Sequence, residues 1–158
     1  MFRQMRRINQ QLSNDECVKL LTESKRGVLS LIIEDGYPYG IPMDHWYNPE
    51  NGHIYFHGAK EGQKADALKE NDKVSYCVMC ETGQEENSWI KNYRSVVVFG
   101  RMQLVEDREM TVKACTGICK KFTEDEDYLK QELDKALSRV QCFELIPEQM
   151  TGKRVKES

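Results

Sequence analysis

The chain has 158 residues, with 23 Lys plus Arg against 26 Asp plus Glu and a formal net charge of −3. That length suits one domain with a core of its own, and the charge balance argues against a nucleic-acid binder, whose affinity comes from neutralising phosphates. The apolar share is 39%, and replacing the 7 Tyr by the 10 Gly in that count gives about 41%, under the ~45–50% of typical globular domains. The chain is lean in core material yet too rich in aromatic and β-branched residues to be disordered. Such a domain often completes its core against a second copy or a bound group.

No apolar stretch approaches the ~18 residues needed to span a bilayer. The opening MFRQMRRINQQLSN carries Arg3, Arg6 and Arg7 but no apolar run behind them, so it lacks the pattern of a secretory signal. Six cysteines (17, 77, 80, 115, 119 and 142) without such a signal read as reduced thiols in a cytoplasmic protein.

In chain order, Ser13 to Glu16 form a capping box that opens a helix through about Ser24, with Cys17, Leu20 and Leu21 on one face. Val28 to Ile33 reads as a buried strand ending at Asp35-Gly36, a two-residue hairpin signal. Tyr37, Tyr39, Ile41 and Met43 alternate with Pro38, Gly40, Pro42 and Asp44 in strand period. Two prolines forbid a fully paired central strand, which implies an edge, a bulge or a ligand against it. Asn51-Gly52 closes a further hairpin into Ile54 to His57. Gly58 to Gly62 reads as a loop, Gln63 to Glu70 as a short helix, and Val74 to Cys80 as a strand. A polar loop over Glu81 to Ser88 leads to the longest β run, Ser95 to Val105. Met110, Ala114, Gly117, Ile118 and Phe122 keep helical spacing, and so do Leu129, Leu133, Ala136 and Leu137 after a capping box at Thr123 to Glu126. A last strand, Val140 to Ile146, precedes a polar tail. The order is mainly β with flanking helices, antiparallel and rich in hairpins, as in a small barrel with helices at its ends. We read one domain over 1–158: an N-terminal arm and helix to residue 25, a barrel with inserted helices over 26–147, and the tail from 148.

The segment His57-Gly58-Ala59-Lys60-Glu61-Gly62-Gln63-Lys64 runs from a strand end into a helix start. The first N–H groups of a helix lack partners and carry partial positive charge, so this is a natural phosphate seat. Gly58 and Gly62 permit close backbone approach, and Lys60 and Lys64 add charge. The spacing is not that of a P-loop, and plain turns of this composition are common.

The stretches GYPYGIPMDHWY, NGHIYFHGAKEGQK, NDKVSYCV, YRSVVVFGRMQLVED and the closing MTGK, in this order, resemble the nitroimidazole-resistance (Nim) proteins. These belong to the pyridoxamine 5′-phosphate oxidase-like superfamily of FMN-binding split barrels. The opening MFRQMRR is also similar to the Nim N-terminus. The resemblance implies an antiparallel split β-barrel and a homodimer with FMN at the subunit interface. It places Ile41, Pro42, Met43, Asp44 and His45 along the flavin ring, with His57 and Gly58 approaching it. Gln63 and Lys64 fall where the oxidases carry an Arg-Lys pair on the FMN phosphate. Gln63 departs from that pair, so the phosphate would lean on Lys64, backbone N–H groups and Lys60. Arg94 and Ser95 match the start of a strand contributed by the partner subunit. The oxidases' C-terminal segment with Trp and Arg is not matched by Pro147 to Arg154, which has no Trp, and this disfavours true pyridoxamine phosphate oxidase activity. The implied activity is flavin-dependent reduction of a small planar nitroaromatic substrate, with His57, neutral or protonated, as proton donor near the flavin edge.

Other readings compete. A flavin carrier or sensor would keep the same pocket without turnover. A zinc scaffold would need Cys77-x-x-Cys80 and Cys115/Cys119, yet a strand turns residues three apart to opposite faces and free cysteines are mostly packing residues. His53 and His57 share a strand face without an evident third ligand, so no metal is expected. Trp46, Tyr47, Trp89 and Tyr93 suit either a planar-substrate pocket or a subunit interface. The acidic run Glu124 to Asp127 complements a helix dipole.

Overall fold

The computed structural model describes residues 1–84 and 91–155. Among them are four α-helices: α1 (Asn14–Glu23), α2 (Gln63–Glu70), α3 (Arg108–Cys119) and α4 (Glu126–Ala136). Seven strands, β1 (Arg26–Ile32), β2 (Pro38–Asp44), β3 (Trp46–Tyr47), β4 (Ile54–Ala59), β5 (Lys73–Gln84), β6 (Lys91–Val105) and β7 (Val140–Val155), form one sheet. Its order is β2-β1-β5-β6-β7-β4-β3 with every pairing antiparallel. The sheet curls into a half-barrel flanked by the helices, the expected split-barrel fold. No helix is long and apolar enough to cross a membrane among the described residues.

Local chemistry sets most element ends. Ser13 accepts from the Glu16 backbone N–H at 3.2 Å while Glu16 accepts from the Ser13 N–H at 2.9 Å, the reciprocal box that starts α1. The β1–β2 turn takes three residues, Glu34–Gly36, rather than two. Asp35 and Gly36 both have positive φ, which a short polar side chain and a glycine tolerate. α4 starts differently from the expectation. Asp125, not Thr123, is its N-cap, accepting from the Asp127 and Tyr128 N–H groups, while Thr123 Oγ1 accepts from Asp125 N–H.

The expected strand over Val140 to Ile146 continues through the expected polar tail to Val155. Pro147, which has no N–H to give a ladder, sits at the register shift where Phe99 pairs with Gln149 and Gly100 with Pro147. Gly100 is needed there because a Cβ would overlap the Ile146 carbonyl oxygen. Of the expected loop over Glu81 to Ser88, Glu81 to Gln84 belong to β5; its remainder and Trp89 lie outside the described residues.

The core lies between the concave face of the sheet and α1, built from Leu12, Leu20, Leu21, Leu29, Phe56, Tyr76, Val98 and Phe143 among others. On the convex face, Pro42, Val28, Cys77, Val97 and Thr151 form a row across β2, β1, β5, β6 and β7. Val28 is 44% and Met79 63% exposed there. The arm returns to Phe99 on β6, where Phe2 stacks at 5.7 Å between ring centroids.

A polar network ties β4 to β7. Glu144 accepts from His53 Nδ1, from the Tyr55 hydroxyl at 2.9 Å and from Gln103 Nε2 at 2.9 Å, with its side chain 14% exposed. Burial pushes its carboxyl up, but the bonds from Gln103, His53 and Tyr55 together outweigh this and hold the pKa below the usual 4.5. Its contribution to stability is therefore complete above that ordinary value and lost as pH falls through the lowered one. Glu144→Gln should cost about 1–3 kcal/mol at pH 7 and cost little in strong acid, read by urea unfolding at both pH values; an equal loss at both would show that the charge is irrelevant.

Candidate functional site

The site forms where β2 ends beside β4. Asp44 closes the β1–β2 ladder opposite Arg26, whose Nε donates to Oδ1 at 2.7 Å. The next residue, His45, is fully buried. Its Nε2 lies 2.7 Å from the Leu21 carbonyl oxygen, which only accepts, so Nε2 carries the proton. Nδ1 faces the Tyr76 hydroxyl at 2.6 Å, and that hydroxyl also reaches the Met43 carbonyl at 2.9 Å. Burial, helped by Lys121, lowers the His45 pKa to about 4 and keeps the ring neutral. The His45 imidazole thus pins α1, β2 and β5 together, with its ring turned into the core.

Period-two alternation sorts the rest of that segment. Met43 is buried and Ile41 half-buried against the core, whereas Pro42 is exposed on the convex face and Asp44 lines a cleft. The stretch 41–45 therefore offers its backbone, Pro42 and Asp44 to a ligand, rather than five side chains in a row.

On β4, His57 is half-buried and pairs with Cys142 of β7. Burial lowers its pKa below the usual 6.5, with Asp44 pulling it up and Lys64 pushing it down. Gly58 follows, still within the strand. A Cβ there would meet Lys64 Nζ at 2.5 Å, so only glycine lets the lysine fold back over this position.

Lys64 is the second residue of α2. Its half-buried ammonium lies 4.6 Å above the Phe143 ring, and its polar contact is the Met43 sulfur at 3.7 Å. It has no oxygen acceptor among the described residues, and burial lowers its pKa. The helix behind it starts at Gly62 (φ 137°) without a side-chain cap, which leaves its first N–H groups free. Lys60 and Gln63 stand exposed around the same turn. A carboxylate or phosphate oxygen would complete this arrangement.

Beside Asp44 and His57 opens a cleft of about 300 Å³. Its far wall comes from the α3–α4 corner: Ile118, Cys119, Phe122, Thr123, Tyr128, Leu129 and Glu132. Sequence reading missed this wall, because Phe122 and Leu129 fitted a helical core pattern. The signal was Phe122 and Tyr128 flanking the polar run between two helices.

Arg94 and Ser95 are not brought to this cleft within one chain. His57 shares a row with Cys142 and Val105 of β6, and Arg94 stands eleven residues along that strand, roughly 35 Å away. Arg94 lies near the start of α1, where its charge acts on Glu16. Trp46 packs on Tyr55 and against Gly117, a packing role rather than a cleft wall. Cys77 and Cys80 are exposed on β5, while Cys115 and Cys142 are buried with their thiols pushed up by burial. No group of three or more metal-ligating side chains converges among the described residues.

Solved structures share this fold. A candidate 5-nitroimidazole antibiotic resistance protein from Bacteroides thetaiotaomicron superposes with a TM-score of 0.75 at 21% identity, covering 93% of this chain and 90% of its own. A conserved hypothetical protein from Mycobacterium tuberculosis gives 0.79 at 19% identity, covering 95% and 90%. An FAD-binding protein from Mesorhizobium loti gives 0.67 at 26% identity, covering 94% and 97%. No curated protein sequence matches the chain. The model of the pyridoxamine 5′-phosphate oxidase family matches residues 13–154, from the cap of α1 to the end of β7. With that match spanning the whole sheet and all four helices, the chain belongs to the pyridoxamine 5′-phosphate oxidase family.

Proposed function

We propose that the protein is an FMN-binding homodimer that reduces small planar nitroaromatic compounds. The observation that carries the flavin reading is Lys64, a half-buried ammonium at the uncapped start of α2 without an oxygen partner among the described residues. Holding a cation out of water is costly unless an anion joins it. The phosphate of FMN fits that need, with Lys60 and the free N–H groups of α2 around it. Gly58 leaves room beside the lysine, and the 41–44 backbone with Pro42 borders the ring. His45 serves from behind by fixing the end of β2. The FAD-binding relative and the resistance-protein relative support a flavin and a nitro substrate respectively.

Two features support a second copy. Arg94 and Ser95, site residues by resemblance, are roughly 35 Å of strand from the cleft within one chain, so in this reading the partner supplies them. The convex face carries exposed Val28, Ile32, Met79 and Phe99, more apolar surface than a lone sheet face usually leaves in water.

FMN, once bound and reduced by a separate electron donor, would supply the electrons for nitro reduction. His57 stands at the mouth of the cleft beside Asp44, where a proton can be delivered to the reduced substrate. Its pKa, lowered below 6.5 by burial, leaves the ring neutral at pH 7, donating through its remaining N–H.

Lys64→Ala should weaken FMN binding roughly ten- to hundredfold by equilibrium titration, the loss expected for a charged hydrogen bond. Unchanged affinity would remove the phosphate assignment. His57→Ala should keep bound flavin but slow flavin reoxidation by a nitroaromatic about a hundredfold. Wild-type reoxidation should also quicken as pH falls below 6.5, a rise absent from the variant; full turnover in the variant would leave His57 a packing residue. Met79→Glu with Val28→Glu should yield a monomer with weakened FMN binding, seen together in sedimentation and titration. A monomeric wild type that binds FMN fully would overturn the shared site.

A further inference from the structure

The α3–α4 wall of the cleft is not used by the proposed flavin site, and its charge is one-sided. Its charged lining groups are Asp44 and Glu132, both carboxylates. Of the nearby cations one compensates Asp44 and the others are held away from Glu132. Arg26 holds Asp44 at 2.7 Å. Lys25 rests on the Phe122 ring at 5.5 Å. Lys121 donates to the Ser24 and His45 carbonyls at 2.7 and 2.8 Å. Glu132 is only weakly compensated, since its ion pair is a 3.9 Å approach to Lys135 one turn along the exposed side of α4, with the lysine 72% exposed. That charge reaches into the wall, where it adds to burial in raising the Cys119 thiol. Phe122 and Tyr128 offer half-exposed rings beside it, 48% and 52% accessible.

We infer that this cleft selects flat aromatic compounds bearing a cationic or hydrogen-bond-donating amine, with Glu132 as the specificity-determining residue and the rings of Phe122 and Tyr128 as the stacking walls. About 300 Å³ admits a one- or two-ring compound. A positive group meets Glu132 and the negative faces of the aromatic rings, whereas a phosphate or carboxylate substituent meets a carboxylate. The inference rests on the proposed reductase reading only for the identity of the substituent that reacts; the charge preference belongs to the wall itself.

The test is calorimetric binding of three probes of matched size to the protein as purified: 4-nitrobenzylamine, 4-nitrobenzyl alcohol and 4-nitrobenzoate at pH 7. The amine should bind tightest and the carboxylate weakest. Glu132→Gln should cut the advantage of the amine over the alcohol roughly three- to tenfold, as for a partly exposed charge pair, while Glu132→Lys should reverse the order of amine and carboxylate. Glu50→Gln, at a carboxylate outside the cleft that pairs with Lys113, should leave the order intact. Equal binding of the three probes, no binding of any, or an order unmoved by either Glu132 variant overturns the inference. A protein that binds and reduces flavin but shows no charge order defeats this inference alone. One that carries no flavin yet discriminates by charge defeats the reductase reading and leaves the inference standing.

Discussion

A single buried hydroxyl sets the geometry on which the site depends. Tyr76 of β5 lies fully inside, bridging the Met43 carbonyl and the His45 ring, and His45 in turn donates to Leu21 at the end of α1. Three elements distant in sequence meet at one neutral imidazole. The chain turns at His45 from the β1 edge of the sheet toward β3 and β4 at its other edge, so Asp44 and His57 come to line one cleft. Gly27 is the complement of this pin, because a Cβ there would strike the Tyr76 ring. Buried polar groups of this kind specify one arrangement when every member is bonded. Lys121 adds a second tie, from the α3–α4 corner to the carbonyls of Ser24 and His45, and so hangs the far wall of the cleft on the same point.

The low apolar share has a structural explanation in how that material is divided. The concave side of the sheet takes the large residues and is closed by α1, while the convex side keeps a row of smaller apolar groups open. Near the site, Lys64 takes up core-like space over Phe143 and Met43 without a counter-ion among the described residues. Both features are unfavourable for an isolated protomer and become favourable if a second copy and an anion complete them. Composition hinted at an incomplete core, and the fold offers two features that a second copy and an anion would complete.

Local signals carried far in this chain. The Ser13/Glu16 box and the turns at Asp35-Gly36 and Asn51-Gly52 each depend on a few adjacent residues and appear where those residues stand. The strand around Pro38 and Pro42 is indeed an edge, paired only with β1. Expectations failed where a distant partner decided. β7 runs through Pro147 because a register shift against Phe99 and Gly100 absorbs the missing N–H, which Pro147 alone does not announce. α4 is capped by Asp125 because Thr123 instead bonds the Asp125 N–H. His45 reads as a ligand-facing residue in a motif and proves a core residue once α1 is packed beside it.

The sequence by itself determined the class of fold and most of the element types, because hairpin turns, helix caps and period-two strands are short-range consequences of backbone conformation. Tertiary structure alone decided which side chains meet: that His45 faces inward, that Lys64 folds over Gly58, that Arg94 stands far from His57, and that Phe122, Tyr128 and Glu132 form a wall opposite Asp44. Those outcomes depend on the curl of the sheet and on contacts between residues tens of positions apart. Alternation along a strand says that neighbours point opposite ways; only packing says which way is in. The lean composition with which the chain begins is therefore a property of the sequence, and its meaning as an unfilled face and an unpaired cation belongs to the fold.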